Sequence, residues 1–219
     1  MTYFNATDQS TLDQLPPATL GLQSIDGAQH PALEFLAAID PDPEATFNIE
    51  CYTDLPRGRV KPKPDPLLSR HANLTLSEVA FLIPKLTKAN AAGAGVFFAV
   101  NQCEGQRSKK NVTRIRCIHG DFDSATPEML SDICKRLHPS ISVTTSGASR
   151  CHLYWLLEEG IPYSKDVVEA LNKSLVPLGA DPAAIDVSRL LRLPGFKHMK
   201  YRAEGRTPTV VASYFNGSV

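Results

Sequence analysis

Apolar and polar positions alternate in short blocks along this chain, and the period of each block predicts an element. Residues 31–39 (Pro-Ala-Leu-Glu-Phe-Leu-Ala-Ala-Ile) predict one short helix, and Phe47–Tyr52 alternates as a half-buried strand does. Between Pro56 and Pro64 runs a basic loop whose prolines block both helix and sheet ladders. Thr75-Leu76-Ser77-Glu78 is a capping box, opening a helix to about Ala89 that Pro84 should kink. Gly93 and Gly95 close that unit, and Val96–Val100 reads as an apolar strand. A second basic loop carries Arg107, Lys109 and Lys110, and the next strand is expected over Val112–Asp123. Thr126-Pro127 begins a helix to about Leu137, with proline where the first turn tolerates it. Ile141–Thr145, the turn Ser146–Ser149 and Cys151–Leu157 predict a hairpin. Ser164 caps a helix towards Val176, Asp181-Pro182 turns the chain, Ser188–Arg192 reads as a short helical stretch, and Pro208–Tyr214 as a last strand. Mixed helices and strands with a hairpin predict an α+β fold, an antiparallel sheet with helices on its faces.

Composition narrows the function classes. Lys+Arg and Asp+Glu both count 23, so net charge is +0, and nucleic-acid contact must come from local patches. The basic loops supply candidates: Arg57, Arg59, Lys61 and Lys63 in the first, Arg107, Lys109 and Lys110 in the second. Five cysteines without a CxxC pair argue against a disulfide framework or a zinc knuckle. The spacing of Cys103, Cys117 and His119 matches no familiar zinc pattern. No run of about 18 apolar residues predicts a membrane helix, and without a signal sequence a cytoplasmic protein is expected.

Three segments carry candidate chemistry. Residues two apart on a strand share a face, so Asp121 and Asp123 should project together, beside His119 and Cys117. Two adjacent carboxylates repel unless a cation bridges them, and hard oxygen donors suit Mg²⁺ or Mn²⁺. In Ser146-Gly147-Ala148-Ser149-Arg150-Cys151-His152-Leu153-Tyr154-Trp155, a tight turn feeds a strand. Cys151, Leu153 and Trp155 should pack in the core, leaving His152 towards a site where it could meet a phosphate. In Ile185-Asp186-Val187-Ser188-Arg189-Leu190-Leu191-Arg192-Leu193-Pro194-Gly195-Phe196-Lys197-His198-Met199-Lys200, one carboxylate precedes a dense run of cations. Such a run can neutralise a triphosphate beside a metal-bound carboxylate.

In this order, the three segments resemble the motifs of the archaeo-eukaryotic primase superfamily, the primase-polymerases. That family has an Asp-x-Asp or Asp-x-Glu strand, a Ser/Gly turn leading to x-His, and an apolar-Asp. The stretch Arg192-Leu193-Pro194-Gly195 through Lys200 is similar to the tail of RepB-like primases of plasmids and prophages, as is Asn90–Asn101. The likeness covers roughly residues 74–203. It implies a catalytic core built on an RNA-recognition-motif-like antiparallel sheet over residues 111–214. A smaller α/β unit, 46–110, would pack on that core, so that the catalytic domain is 46–219 and residues 1–45 are an N-terminal extension. It also implies that Asp121, Asp123 and Asp186 hold two Mg²⁺ or Mn²⁺ ions, and that His152 touches the incoming nucleotide's phosphates. Arg150, Arg192 and Lys200 are candidates for the remaining phosphate charge. The expected activity is template-directed nucleotidyl transfer, a DNA primase or polymerase acting in plasmid or prophage replication. Its partners would be a single-stranded DNA template, nucleoside triphosphates and a helicase domain or protein. A two-metal nuclease could use the same carboxylates, and a non-catalytic single-strand binder could use the basic loops. The binder usually stacks bases on exposed aromatics, and these make up only 7% of this chain. A rolling-circle initiator needs a His-x-His pair, which the chain lacks.

Overall fold

A computed structural model describes residues 29–56, 58–147, 149–158 and 162–215. Helix α1 (Pro31–Ile39) starts with proline in its first turn and with the His30 ring accepting the Ala32 N–H. Strand β1 (Phe47–Thr53) follows, then β2 (Ser69–Leu74). Helix α2 (Leu76–Ala92) opens on the expected capping box, continues across Pro84 and stops at Gly93 in the left-handed region. Strands β3 (Ala94–Ala99), β4 (Gln102–Cys103), β5 (Val112–Arg114) and β6 (Cys117–Phe122) lead to helix α3 (Pro127–Leu137). The hairpin β7 (Ile141–Gly147) and β8 (Arg150–Leu156) precedes helix α4 (Lys165–Ser174). Strand β9 (Leu190–Arg192), the 3-10 turn Met199–Glu204 and strand β10 (Val211–Tyr214) complete the described chain.

The strands form two four-stranded sheets, ordered β2-β1-β3-β9 and β10-β7-β8-β6, with a small β4-β5 ribbon. Neighbouring strands in these sheets pair antiparallel, which makes this an α+β fold with antiparallel sheets and helices. One apolar core joins the sheets. It takes Ile49 and Cys51 from β1, Val96 and Phe98 from β3, Cys117 from β6, Val143 from β7 and Tyr154 from β8. Phe35 of α1 wedges between them, its ring edge-on to Phe98 at 5.1 Å and to Tyr154 at 5.6 Å. The other face of the second sheet packs Phe122, Cys151 and Leu153 against Leu130 and Ile133 of α3.

Two expectations change, and one strand has no sequence signal. The single strand over Val112–Asp123 is two strands in different sheets, broken at Ile115-Arg116. There the Arg116 N–H donates to the Asn101 side chain (2.7 Å) rather than to a strand neighbour. Ser188–Arg192 is not helical: Asp186–Arg189 is a turn, and Leu190–Arg192 pairs with β3. The buried edge of β3 offers ladder partners that a helix would leave unpaired, and Pro194 disfavours a helical residue before it. Strand β2, with the polar sequence Ser-Arg-His-Ala-Asn-Leu, carries no apolar signal because it is a half-exposed outer strand. Strand β9 returns to the first sheet, and α1 packs in the core.

The break before β6 is fixed by a buried ion pair. Arg116 donates from Nε to Asp40 at the end of α1 (2.6 Å) and from Nη2 to the Thr46 carbonyl ahead of β1 (2.6 Å). Both side chains are 1% exposed, and Arg114 reaches the same carboxylate at 3.2 Å. Removing one partner of such a pair strands the other charge, typically at a cost of about 3–5 kcal/mol. Asp40→Asn should therefore destabilise by about that amount in urea unfolding. Arg116→Met should cost less, because Asp40 keeps Arg114. A loss below about 1 kcal/mol for Asp40→Asn would show that the pair does not hold the elements together.

Candidate active site

The β6–β8 register sets Asp121 directly across from His152, and His119 across from Tyr154. Alternation then separates the faces: Cys117 and Tyr154 enter the core between the sheets, whereas Phe122, Cys151 and Leu153 pack under α3. His152 lies on the inner face as expected, but it is buried, at 4% exposure. Its Nδ1 is 3.3 Å from the Tyr154 hydroxyl. Burial holds that phenol well above its usual range, so it stays protonated, and the ring turns its other nitrogen, Nε2, towards Asp121. His152 Nε2 is 3.8 Å from Asp121 Oδ1, beyond hydrogen-bond reach. Burial first, then the charges of Arg192, His119 and His198, lower the His152 pKa to about 3, so this contact is not an ion pair.

Asp121 stands half-buried near the end of β6, and Asp123 lies one residue past the strand, exposed. Burial, and then repulsion from Asp123 and Asp181, push Asp121 up to about 7, against the pull of Arg192 and Arg189. A site that disfavours its own carboxylate charge in this way has the electrostatics of a cation site. The third expected ligand, Asp186, is engaged elsewhere. It pairs with Arg189 at 2.5 Å and accepts from the Ser188 hydroxyl at 3.0 Å. Among the described residues no three His, Cys, Asp or Glu side chains converge as a metal cluster. Asp121 and Asp123 offer the hard carboxylate oxygens a divalent ion would take, but among the described residues Asp186 does not join them as a third donor. His119 is structural: it is buried, donates from Nε2 to the Ala184 carbonyl (3.1 Å), and burial lowers its pKa to about 4. Cys103 sits in a separate apolar cluster, so it forms no zinc site with Cys117 and His119.

The expected phosphate-binding cations fall into two groups. Arg192, on β9, forks onto Asp54 with two 2.9 Å bonds and lies over the Phe97 ring at 4.9 Å. Asp54 also accepts the Lys200 N–H (3.0 Å) and has His198 Nε2 at 4.0 Å. Neither Asp54 nor His198 stands out in the sequence; nothing around Asp54 forms a motif, and His198 is one residue among many in a basic tail. His198 donates from Nδ1 to the Thr145 carbonyl (3.2 Å), and burial, then Arg192, lower its pKa to about 4. Arg150 instead meets the Tyr201 hydroxyl, and Lys200 and Arg206 lie 6.0 and 4.9 Å from the same ring. The structure thus brings His152 and Arg192 to Asp121, and sets Arg150 and Lys200 around Tyr201.

The basic loops also divide. Arg59, Lys61 and Lys63 are exposed, while Arg57 lies outside the described residues. Arg107 is anchored on Glu50 (3.0 Å) and the Ser188 carbonyl (2.8 Å). Lys109 is neutralised by Asp166 (3.0 Å) and Glu169 (2.7 Å) of α4, and Lys110 is exposed. No described helix is long and apolar enough to cross a membrane.

No family model and no curated protein matches this chain. Solved structures do. The crystal structure of primase RepB′ is similar at 18% identity and a TM-score of 0.60, over 85% of this chain and 57% of that one. The chain thus spans little more than half the length of that primase. The catalytic domain of RepB′ in complex with initiator DNA is similar at 19% identity and a TM-score of 0.57, covering 86% and 87% of the two chains. The archaeo-eukaryotic primase (AEP) domain of the cyanophage S-2L primase-polymerase is similar at 20% identity and a TM-score of 0.59, over 85% and 89%. The α+β architecture is thus similar in fold to the catalytic domain of primase RepB′ and to the AEP domain of the cyanophage primase-polymerase.

Proposed function

We propose that this chain is a DNA primase-polymerase, extending a 3′-hydroxyl with nucleoside triphosphates on a single-stranded DNA template. The observation that carries the reading is the register of Asp121 against His152, with Asp123 one residue beyond and the guanidinium groups of Arg189 and Arg192 close by, on a fold shared with primase domains. Asp121 and Asp123 would hold Mg²⁺ or Mn²⁺, two ions with the help of Asp186, which when bound would acidify the attacking hydroxyl and neutralise the triphosphate. His152, held at Nδ1 by the Tyr154 hydroxyl, presents Nε2 beside Asp121, where as the Nε2–H tautomer it would donate to a phosphate oxygen. Arg192, with its fork held by Asp54, acts as a fixed positive charge beside that oxygen. Arg150 and Lys200, gathered at Tyr201, stand ready for the outer phosphates. A helicase acting with the chain, and a place in plasmid or prophage replication, belong to the same proposal.

Asp121→Ala with Asp123→Ala should abolish nucleotide incorporation on single-stranded templates with Mn²⁺ or Mg²⁺. Incubating the native chain with DNA and Mg²⁺ but no nucleotides should yield no cleavage; cleavage that disappears in the same variant would favour a nuclease instead. The native Asp121 pKa is raised from 3.8 to about 7, so the folded state binds the proton more tightly than the unfolded state does. In metal-free buffer Asp121 therefore costs stability progressively as pH rises through this window. Asp121→Asn should raise the melting temperature at pH 8 and change it little at pH 4. An equal effect at both would show that the carboxylate is not disfavoured.

His152→Ala should lower kcat/KM for nucleotide by about 10- to 150-fold, the loss of one hydrogen bond to a charged phosphate. Template affinity without nucleotide should hold. Because His152 is buried, melting will fall as well, and kinetics are therefore scored per folded molecule. Lowered melting with normal nucleotide kinetics would remove His152 from the reaction.

A further inference from the structure

The face of the first sheet that carries Glu50, Tyr52 and Phe97 holds a built aromatic pair. Tyr52 of β1 stacks on Phe97 of β3, with ring centroids 4.4 Å apart and planes 8° from parallel. The register places Gly95 opposite Tyr52, and a Cβ at Gly95 would strike the Phe97 ring at 2.5 Å. Only glycine there lets Phe97 lie flat against Tyr52. Arg192 lies over the Phe97 ring, and the ammonium of Lys61, from the exposed basic loop, lies 3.5 Å from the centroid of the half-buried Tyr52 ring. Tyr52 floors a groove of about 620 Å³ that runs from that loop to Arg189.

The groove wall is basic and pre-set. Glu50, 7% exposed, holds Arg107 at 3.0 Å and Arg70 at 3.4 Å on its two oxygens. Arg107 also donates to the Ser188 carbonyl (2.8 Å), which ties the wall to the turn carrying Asp186 and Arg189. A second groove, of about 480 Å³, continues past the same Glu50, Arg70 and Arg107. A flat ring under a displaceable cation, with guanidinium groups along the wall, is the chemistry that takes one base and its flanking phosphates.

We propose that this groove is a track for a single nucleic-acid strand, in which a base displaces Lys61 to stack on Tyr52 while Arg70 and Arg107 take the adjoining phosphates. The inference rests on the polymerase reading for naming that strand as the template. It is tested in chelator without nucleotides, where catalysis plays no part, so loss of activity in the Asp121/Asp123 variant leaves it untouched.

The probe is a fluorescent oligo(dT), with anisotropy measured over a range of salt. Tyr52→Phe should bind as the native chain does. Tyr52→Leu should bind roughly five- to tenfold more weakly with an unchanged salt slope, because stacking releases no counterions. Arg70→Ala should weaken binding and flatten the slope by about 0.7, the share of a single neutralised phosphate. An oligonucleotide carrying 5-iodouracil, irradiated on the native protein, should give an adduct on the peptide containing Tyr52. That arm needs no variant to fold. Native affinity in a folded Tyr52→Leu chain, adducts confined to other peptides, or a loss seen only for free triphosphate would each overturn the strand track.

Discussion

The buried pair between Arg116 and Asp40 is the constraint on which the arrangement depends. Through one guanidinium it fixes the end of α1, the chain entering β1 and the start of β6, and Asn101 after β3 holds the same residue's N–H. Burial works against the charge of Arg116, and Asp40 offsets that cost directly. The consequence is structural timing along the strand. Because the chain breaks at Arg116, β6 starts at Cys117, and four residues later Asp121 stands near the end of the strand opposite His152. A one-residue slip would turn Asp121 to the α3 face and Phe122 inward.

A second regularity runs through the site: its cations are already matched to carboxylates. Arg192 sits on Asp54, Arg189 on Asp186, Arg107 on Glu50 and Lys109 on Asp166 and Glu169. This is how a chain of zero net charge can hold a locally basic surface without repelling itself. It also shapes chemistry. At Arg189 and Arg192 a phosphate would exchange partners with a carboxylate rather than meet a bare cation. The Asp186–Arg189 pair is the plainest case, since a metal at Asp186 and a phosphate at Arg189 would each release the other's partner.

Much of this is legible in the sequence, for local reasons. The capping box at Thr75, the helix from Pro127 and the hairpin around residues 146–149 are specified by residues within a few positions of each other, and they form where expected. Alternation and the family resemblance together send Asp121 and His152 to one site, but the β6–β8 register that sets them opposite each other is visible only in the structure. What fails depends on distant partners. The break at Arg116 needs Asp40 and Asn101, β9 needs the free edge of β3, and the polar β2 needs β1. The same applies to Asp54 and Tyr52, ordinary residues in sequence that gain roles only when Arg192 and Phe97 fold onto them. His152 shows a mixed outcome: alternation predicts its face, but not its burial or the charges of Arg192 and His198 that reach it from elements far along the chain.

The central claim is that Asp121 and Asp123 hold divalent metal for nucleotidyl transfer, and locating the ion tests it most directly. Crystals grown with Mn²⁺ and a non-hydrolysable nucleoside triphosphate, measured at the manganese absorption edge, should give an anomalous peak within ligand distance of both Asp121 and Asp123. The triphosphate should lie beside His152, and the Arg189 contact to Asp186 should have opened. Manganese bound elsewhere, or a triphosphate seated with no ion at Asp121, would contradict the account.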